Sequence, residues 1–278
     1  LGSATAPNTS SGDTHNTGTA DGTGTTSITT DGPTESTDGP PGSTGGTTHS
    51  TDGTTDSMGG VPLPCDEPEV LGDGLYPVSC NEVLVGTPGA PDGEYTLYAE
   101  NDPARPWQAW CHHMDDRPQE YLILPMTGED YNYSKYVPGP LQEGTIVRTM
   151  YSRVRINPYC FRVHVGDQTF STSTGLLMHG RDAVTSMPYA VAMDCVDPYS
   201  MYGCANVDVR GTPFTVPPEQ WSLGGFAAEG VVVSSADHQE IQIGGGGFCG
   251  YAFPSEAPDP GCPCNDWGDF YLRLEYTL

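Results

Sequence analysis

The sequence predicts an all-β domain, β-dominated antiparallel sheets with long loops, stapled by disulfides and preceded by a disordered tether. Three observations carry that expectation. Short runs with period-two alternation, or rich in β-branched and aromatic residues, recur between Gly, Pro, Asn and Asp. No window of a dozen residues keeps an amphipathic helical pattern, because 26 prolines and 36 glycines interrupt it. All nine cysteines fall after residue 64.

Residues 1–64 hold 18 Thr, 13 Gly and 8 Ser, with no Cys, no aromatic residue, no Lys and no Arg. A segment with so little to bury does not offset a chain entropy of about 1–2 kcal/mol per residue. Its "TDG" units at 30–32, 37–39 and 51–53 form turns without hydrophobic runs between them, so the segment reads as a flexible, weakly acidic tether. Residues 65–278 hold all the aromatics and all ten basic residues, and read as one domain.

Within that domain the strand-like runs are 94–98, 120–124, 145–156, 161–165, 169–173, 189–193, 206–209, 213–216, 230–234, 240–243 and 270–276. In "FRVHV", Phe161, Val163 and Val165 face one way, and Arg162 and His164 the other. "FYLRLEY" sets Phe270, Leu272, Leu274 and Tyr276 against Arg273 and Glu275. One short helix is expected near 176–181 or 218–221. The glycines 244–247 follow a strand but precede no helix, so they read as a flexible β-loop rather than a phosphate cradle.

The formal net charge is −26, with a single lysine, which excludes nucleic acid and anionic lipid surfaces as partners. Nine cysteines behind a polar tether point to an oxidising compartment, and so to a secreted or cell-surface protein. No run of about 18 apolar residues occurs, so no membrane span is expected. The chain shows neither an initiator Met nor a charged-then-apolar leader, the pattern of a mature or trimmed protein. A lipid anchor upstream of the tether is a candidate attachment.

The densest cluster of metal-type side chains is "WCHHMDDRPQEYLILP", residues 110–125. His112 and His113 are neighbours, so on a continuing strand they point to opposite faces. Binding one ion with both needs a kinked loop and a further ligand, which Asp115 or Asp116 supplies. The competing reading is a stapled turn leading into a strand. Other chemistry has no signature: the chain lacks His-Glu-x-x-His, Gly-x-Ser-x-Gly and Gly-x-x-x-x-Gly-Lys. Carboxylate pairs such as Asp115/Asp116 and Glu129/Asp130 arise by chance in so acidic a chain.

The stretch 79–114 runs from a cysteine through "DGEYTLY" to "WCHHM", and resembles the opening of fibrinogen-like domains, without their Gly-Gly-Trp continuation. It continues instead with "RPQEYLILP" and "YNYS", then "MPYAVAMDC" (187–195), "CANVDV" (204–209) and "GGFCGYA" (246–252). Together these blocks resemble the GON domain, the C-terminal module of certain secreted thrombospondin-repeat metalloproteinases, over residues 79–278. The "EAPDPGCPCNDWGD" segment, Cys65 and Cys160 depart from that pattern, and the catalytic domain and thrombospondin repeats of those proteases are absent from this sequence. A GON-like domain on a tether, with Arg strongly favoured over Lys, suggests a bacterial outer envelope and a GC-rich genome.

The resemblance implies a Cys80–Cys111 disulfide, which leaves Cys111 unavailable as a thiolate. Cys195 and Cys204, nine apart around a Pro/Gly loop, suit a small closed ring stabilising by about 2–3 kcal/mol. Cys249 is expected to pair with Cys262 or Cys264, and the other of these with Cys65 or Cys160. The rival reading is a Cys3His zinc site from Cys249, Cys262, Cys264 and His238, on a C-x12-C-x-C spacing. Asp259, Asn265, Asp266 and Asp269 offer oxygens for a calcium loop. Trp107, Trp110, Tyr131, Tyr133, Tyr136, Tyr199, Tyr202 and Trp267 are candidate contact aromatics. Asn8 and Asn132 stand in glycosylation triplets.

The reading is a non-catalytic extracellular interaction module for a protein or glycan partner, with no cofactor expected. A zinc-binding protein associated with metallopeptidase function, and a calcium-assisted lectin-like binder, are the alternatives.

Overall fold

The computed structural model describes Cys65, residues 75–255 and residues 270–277. After helix α1 (Cys80–Gly86) come β1 (Gly93–Tyr98), β2 (Pro106–His112), β3 (Gln119–Ile123), β4 (Tyr133–Val137), β5 (Val147–Tyr151), β6 (Arg153–Asn157) and β7 (Arg162–His164). The chain continues through β8 (Ser171–Thr174), β9 (Leu177–His179), β10 (Asp182–Val184), β11 (Ala192–Asp194), β12 (Gly203–Asp208) and β13 (Phe214–Thr215). It ends with β14 (Trp221–Gly225), β15 (Glu229–Ser234), β16 (Glu240–Gly246), β17 (Gly250–Pro254), β18 (Tyr271–Arg273) and β19 (Glu275–Tyr276). The protein is all-β with one short helix among the described residues.

Two large sheets enclose one core. The first is antiparallel, in the order β1-β2-β3-β6-β7-β18. The second runs β14-β17-β11-β4-β12-β16-β15, with β5 paired to β4 and β8 paired to β5. Leu97, Ala109, Leu122, Ile156 and Leu272 from the first sheet meet Ala205, Val207, Ile241, Ile243 and Ala252 from the second. Strand alternation produces this, since each inward residue is flanked by outward polar ones. At β7 Phe161, Val163 and Val165 are buried while Arg162 and His164 are partly exposed.

The run 145–156 is not one strand. Val147, Thr149 and Tyr151 are buried, then Val154 and Ile156, so the inward phase slips by one residue at exposed Ser152. That slip passes the chain from the second sheet (β5) to the first (β6), the usual corner between packed sheets.

Three other expectations are corrected. The helix forms at 80–86, too short to register in a twelve-residue window. Ser79 Oγ accepts from the Glu82 amide at 3.3 Å, and Glu82 Oε2 accepts from the Val78 amide at 2.7 Å. Residues 177–179 and 182–184 form the β9–β10 hairpin, and 218–221 lead into β14. Gly244–Gly246 are not a loop but part of β16: a Cβ on Gly245 would lie 2.6 Å from Ala192 O and 2.7 Å from Ala252 N. Only glycine lets β16 approach the backbones of β11 and β17 so closely.

Among the described residues the disulfides are Cys65–Cys160, Cys80–Cys111 and Cys195–Cys249. The Cys195–Cys204 ring does not form, and Cys204 is free. Asp194 ends β11 opposite Gly250 of β17, which brings Cys195 beside Cys249. The intervening loop is closed by a buried carboxylate instead: Asp194 accepts from the amides of Val196 and Tyr202, at 3.1 and 2.6 Å, and from Ser200 Oγ at 2.7 Å. Because Cys249 is bonded to Cys195, the Cys3His zinc set cannot assemble around it in this state. His238 sits elsewhere, with Nδ1 2.8 Å from Ser234 Oγ.

Candidate binding cavity

A cavity of about 510 Å³ opens between the β9–β10 hairpin and the second sheet; its walls include Tyr136, His179, Met187, Met193, Cys249 and Tyr251. The strands deliver these side chains by parity. In β4, Ser134 and Tyr136 point inward, and Tyr136 packs with Leu177, Met187, Val191, Met193 and Cys195. Burial pushes the Tyr136 phenol above its ordinary value, so it stays protonated.

One end of the cavity is polar. The Tyr136 hydroxyl lies 2.5 Å from His179 Nδ1 and 3.1 Å from Cys195 Sγ, and accepts from Gln142 Nε2 at 2.8 Å. Gln142 is oriented in turn by the Gly139 amide, which donates to Oε1 at 2.8 Å. Cys195 is buried, Cys249 partly exposed, and His179 exposed at the rim. One ligand-type atom from each of His179, Cys195 and Cys249 lies within 4.8 Å of the others, the one such group of three among the described residues. The two sulfurs are bonded to each other, so no thiolate is offered to a metal.

The sequence-derived residues fall elsewhere. His112 ends β2, with Nδ1 2.7 Å from Asp92 Oδ2, while Asp92 Oδ1 accepts from the Met114 amide at 2.8 Å. The Met114 amide first, and His112 further, hold the Asp92 carboxyl below its ordinary value. His113, with φ 56°, leaves the strand and lays its ring 3.9 Å from that of His112. Asp115 and Asp116 are exposed, and these four residues do not bring three ligand atoms together. "CHHMDD" is a turn clasped by Asp92 at the end of a stapled strand.

Among the aromatics, Trp107 is a core residue, edge-on to Phe161 and Phe214, and Tyr136 is buried in the cavity wall. Trp110 is half-buried under the Arg153 guanidinium at 4.2 Å, and Tyr133 is half-buried under Arg148 at 4.0 Å. Tyr131 lies 5.8 Å from the Arg210 guanidinium, and Tyr199 and Tyr202 are exposed. Asn132 is fully buried. Its Nδ2 donates to Met126 O and Asp208 O, and its Oδ1 accepts from Tyr189, so it presents no amide for glycosylation. Cys262, Cys264, Asp259, Asn265, Asp266, Trp267 and Asp269 lie outside the described residues.

Sequence reasoning did not single out Gln142 or His179, and treated Tyr136 as an exposed aromatic. The signal lay in two blocks: "MPYAVAMDC" supplies Met187, Met193 and Cys195, and "GGFCGYA" supplies Cys249 and Tyr251. Their convergence on one cavity required the β11–β17 pairing.

No helix among the described residues is long and apolar enough to cross a membrane. No curated protein and no solved structure matches the chain. The GON domain family model matches residues 140–259, which hold β5 to β17 and most of the cavity wall but not the "DGEY" and "PQEYLILP" blocks. Over residues 140–259, a segment that contains the Cys195–Cys249 disulfide, the protein is similar to the GON domain family.

Proposed function

We propose that the protein is a non-catalytic extracellular interaction module that seats part of a protein or glycan partner in the Tyr136–His179 cavity. Residues 1–64 act as the tether that holds the module off a surface, a bacterial outer envelope by the Arg-over-Lys composition. The observation that carries the reading is the cavity itself. About 510 Å³ with an apolar wall of Met187, Met193 and Tyr251, ending in hydrogen-bonding groups from Tyr136 and His179, is the form of a recognition pocket.

The test is a screen of glycan and extracellular-peptide arrays with the intact protein and with Ala183→Trp, which fills the cavity from the exposed side of β10. A set of related ligands bound by the parent, and at least about tenfold weaker in the variant at unchanged melting temperature, is the expected result, since pocket contacts dominate such affinities. No binding, or binding indifferent to Ala183→Trp, overturns the cavity as the site. Turnover of a bound ligand that His179→Gln abolishes overturns the non-catalytic reading.

A further inference from the structure

The Cys195–Cys249 disulfide differs from the other two in its surroundings. One sulfur lines the cavity and the other is buried beside a phenol. Cys249 is partly exposed and lines the cavity, on a turn where its backbone holds φ 65°. Cys195 is buried, with the Tyr136 hydroxyl 3.1 Å from its Sγ. Cys80 and Cys111 are both fully buried, and the contact recorded at Cys80 Sγ is a backbone carbonyl at 3.8 Å. Cys65 and Cys160 are partly exposed, so exposure alone does not distinguish the cavity disulfide; the phenol beside one sulfur does.

We propose that Cys195–Cys249 is a thiol–disulfide exchange site for a small aliphatic thiol that enters the cavity. Exchange runs through attack of a thiolate on one sulfur and departure of the other, and is faster when the leaving thiolate is stabilised. The thiol gives its proton to His179 Nε2 at the rim, and its sulfur attacks Cys249 Sγ. The Cys249–Cys195 bond breaks as the new sulfur–sulfur bond forms. Cys195 departs with the bonding pair and takes the Tyr136 hydroxyl proton, which His179 replaces from Nδ1 across the 2.5 Å contact. The entering sulfur is oxidised to the level of a mixed disulfide and Cys195 is reduced to a thiol. One proton enters with the thiol and one ends on Cys195, so the step balances. A second thiol then releases the first as a free disulfide and leaves Cys249 reduced. Gln142 fixes the phenol for this transfer by donating to its oxygen.

The exchange shares the cavity with the proposed recognition role but not its ligand. A failed binding screen leaves the exchange rates untouched, and the reverse also holds. The experiment treats the intact protein with a glutathione redox buffer, traps it with an alkylating agent over time, and maps the adducts by mass. The expected result is a glutathione adduct on Cys249. In Tyr136→Phe, opening of this bridge is expected to slow about tenfold relative to Cys65–Cys160 in the same molecule, the size of one hydrogen bond to a charged leaving group. His179→Gln, at an exposed position, slows the same ratio and serves where Tyr136→Phe does not fold. An adduct on Cys195, or a ratio unchanged in the variants, overturns the proposal. Opening with a bulky protein thiol but not with glutathione overturns the assignment to a small thiol.

Discussion

At the residue scale the histidines show how environment, not residue type, sets a role. His112 is consumed by Asp92 in closing a turn, and His179 faces a cavity. His164 lies on β7 with its ring edge-on to Tyr271 at 4.7 Å. Burial first, and Arg155 next, press its pKa from 6.5 down to about 4, against an opposing pull from Asp167. The folded state therefore binds this proton less readily than the unfolded chain does. The neutral form is no handicap above the unfolded pKa, but stability is lost as pH falls from 6.5 towards about 4. We expect His164→Gln to flatten this interval of the stability–pH curve, measured by denaturant unfolding at pH 7.5, 6, 5 and 4.5. An unchanged slope would assign the acid sensitivity to other groups.

At the element scale, β16 runs close against the backbones of its neighbours. A methyl group on Gly245 meets the backbones of Ala192 and Ala252, and neither is the yielding tip of a side chain. Gly245→Ala should destabilise by about 1–3 kcal/mol or more, the cost of overpacking a rigid site. Gly93, whose nearest neighbour is Tyr95 at 3.6 Å, should accept alanine with little change. Urea midpoints of the two variants against the parent check this, and equal shifts would remove the close-approach argument. Strand pairing separates Cys204 from Cys195. Cys204 sits opposite Gly244 in β12, on the face turned away from Ala205 and Val207, while Cys195 follows the strand that meets β17.

At the scale of the molecule, all the described residues belong to one contact unit, Ser57–Leu278. Removing residues 1–64 should leave the melting temperature of the remainder within about 1 °C, because a segment without aromatic or cationic side chains has almost nothing to contribute to a core. Calorimetry of the two forms decides it, and a fall of several degrees would show that the segment packs on the domain.

The β class was legible because period-two alternation is local: "FRVHV" and "FYLRLEY" carry their own inward faces. Even the break of 145–156 into β5 and β6 was written there, as the slip of parity at Ser152. The helix at 80–86 was also written in Ser79 and Glu82, within too short a span to stand out. The candidate site was far less legible. Tyr136, His179, Cys195 and Cys249 span 113 residues of chain, and no spacing rule joins them. Of the cysteine pairs, Cys80–Cys111 was reached through resemblance to other domains, whereas Cys195–Cys249, 54 residues apart, depends on which strands become neighbours.

The sequence by itself therefore determined the β architecture, the acidic and cysteine-rich character, and the contrast between residues 1–64 and the rest, since each follows from composition or from contacts between residues close in the chain. Only the tertiary structure decided the cavity and its disulfide. These arise where β4, β9, β11 and β17 meet, and strand order is set by burial of the whole core rather than by any local run.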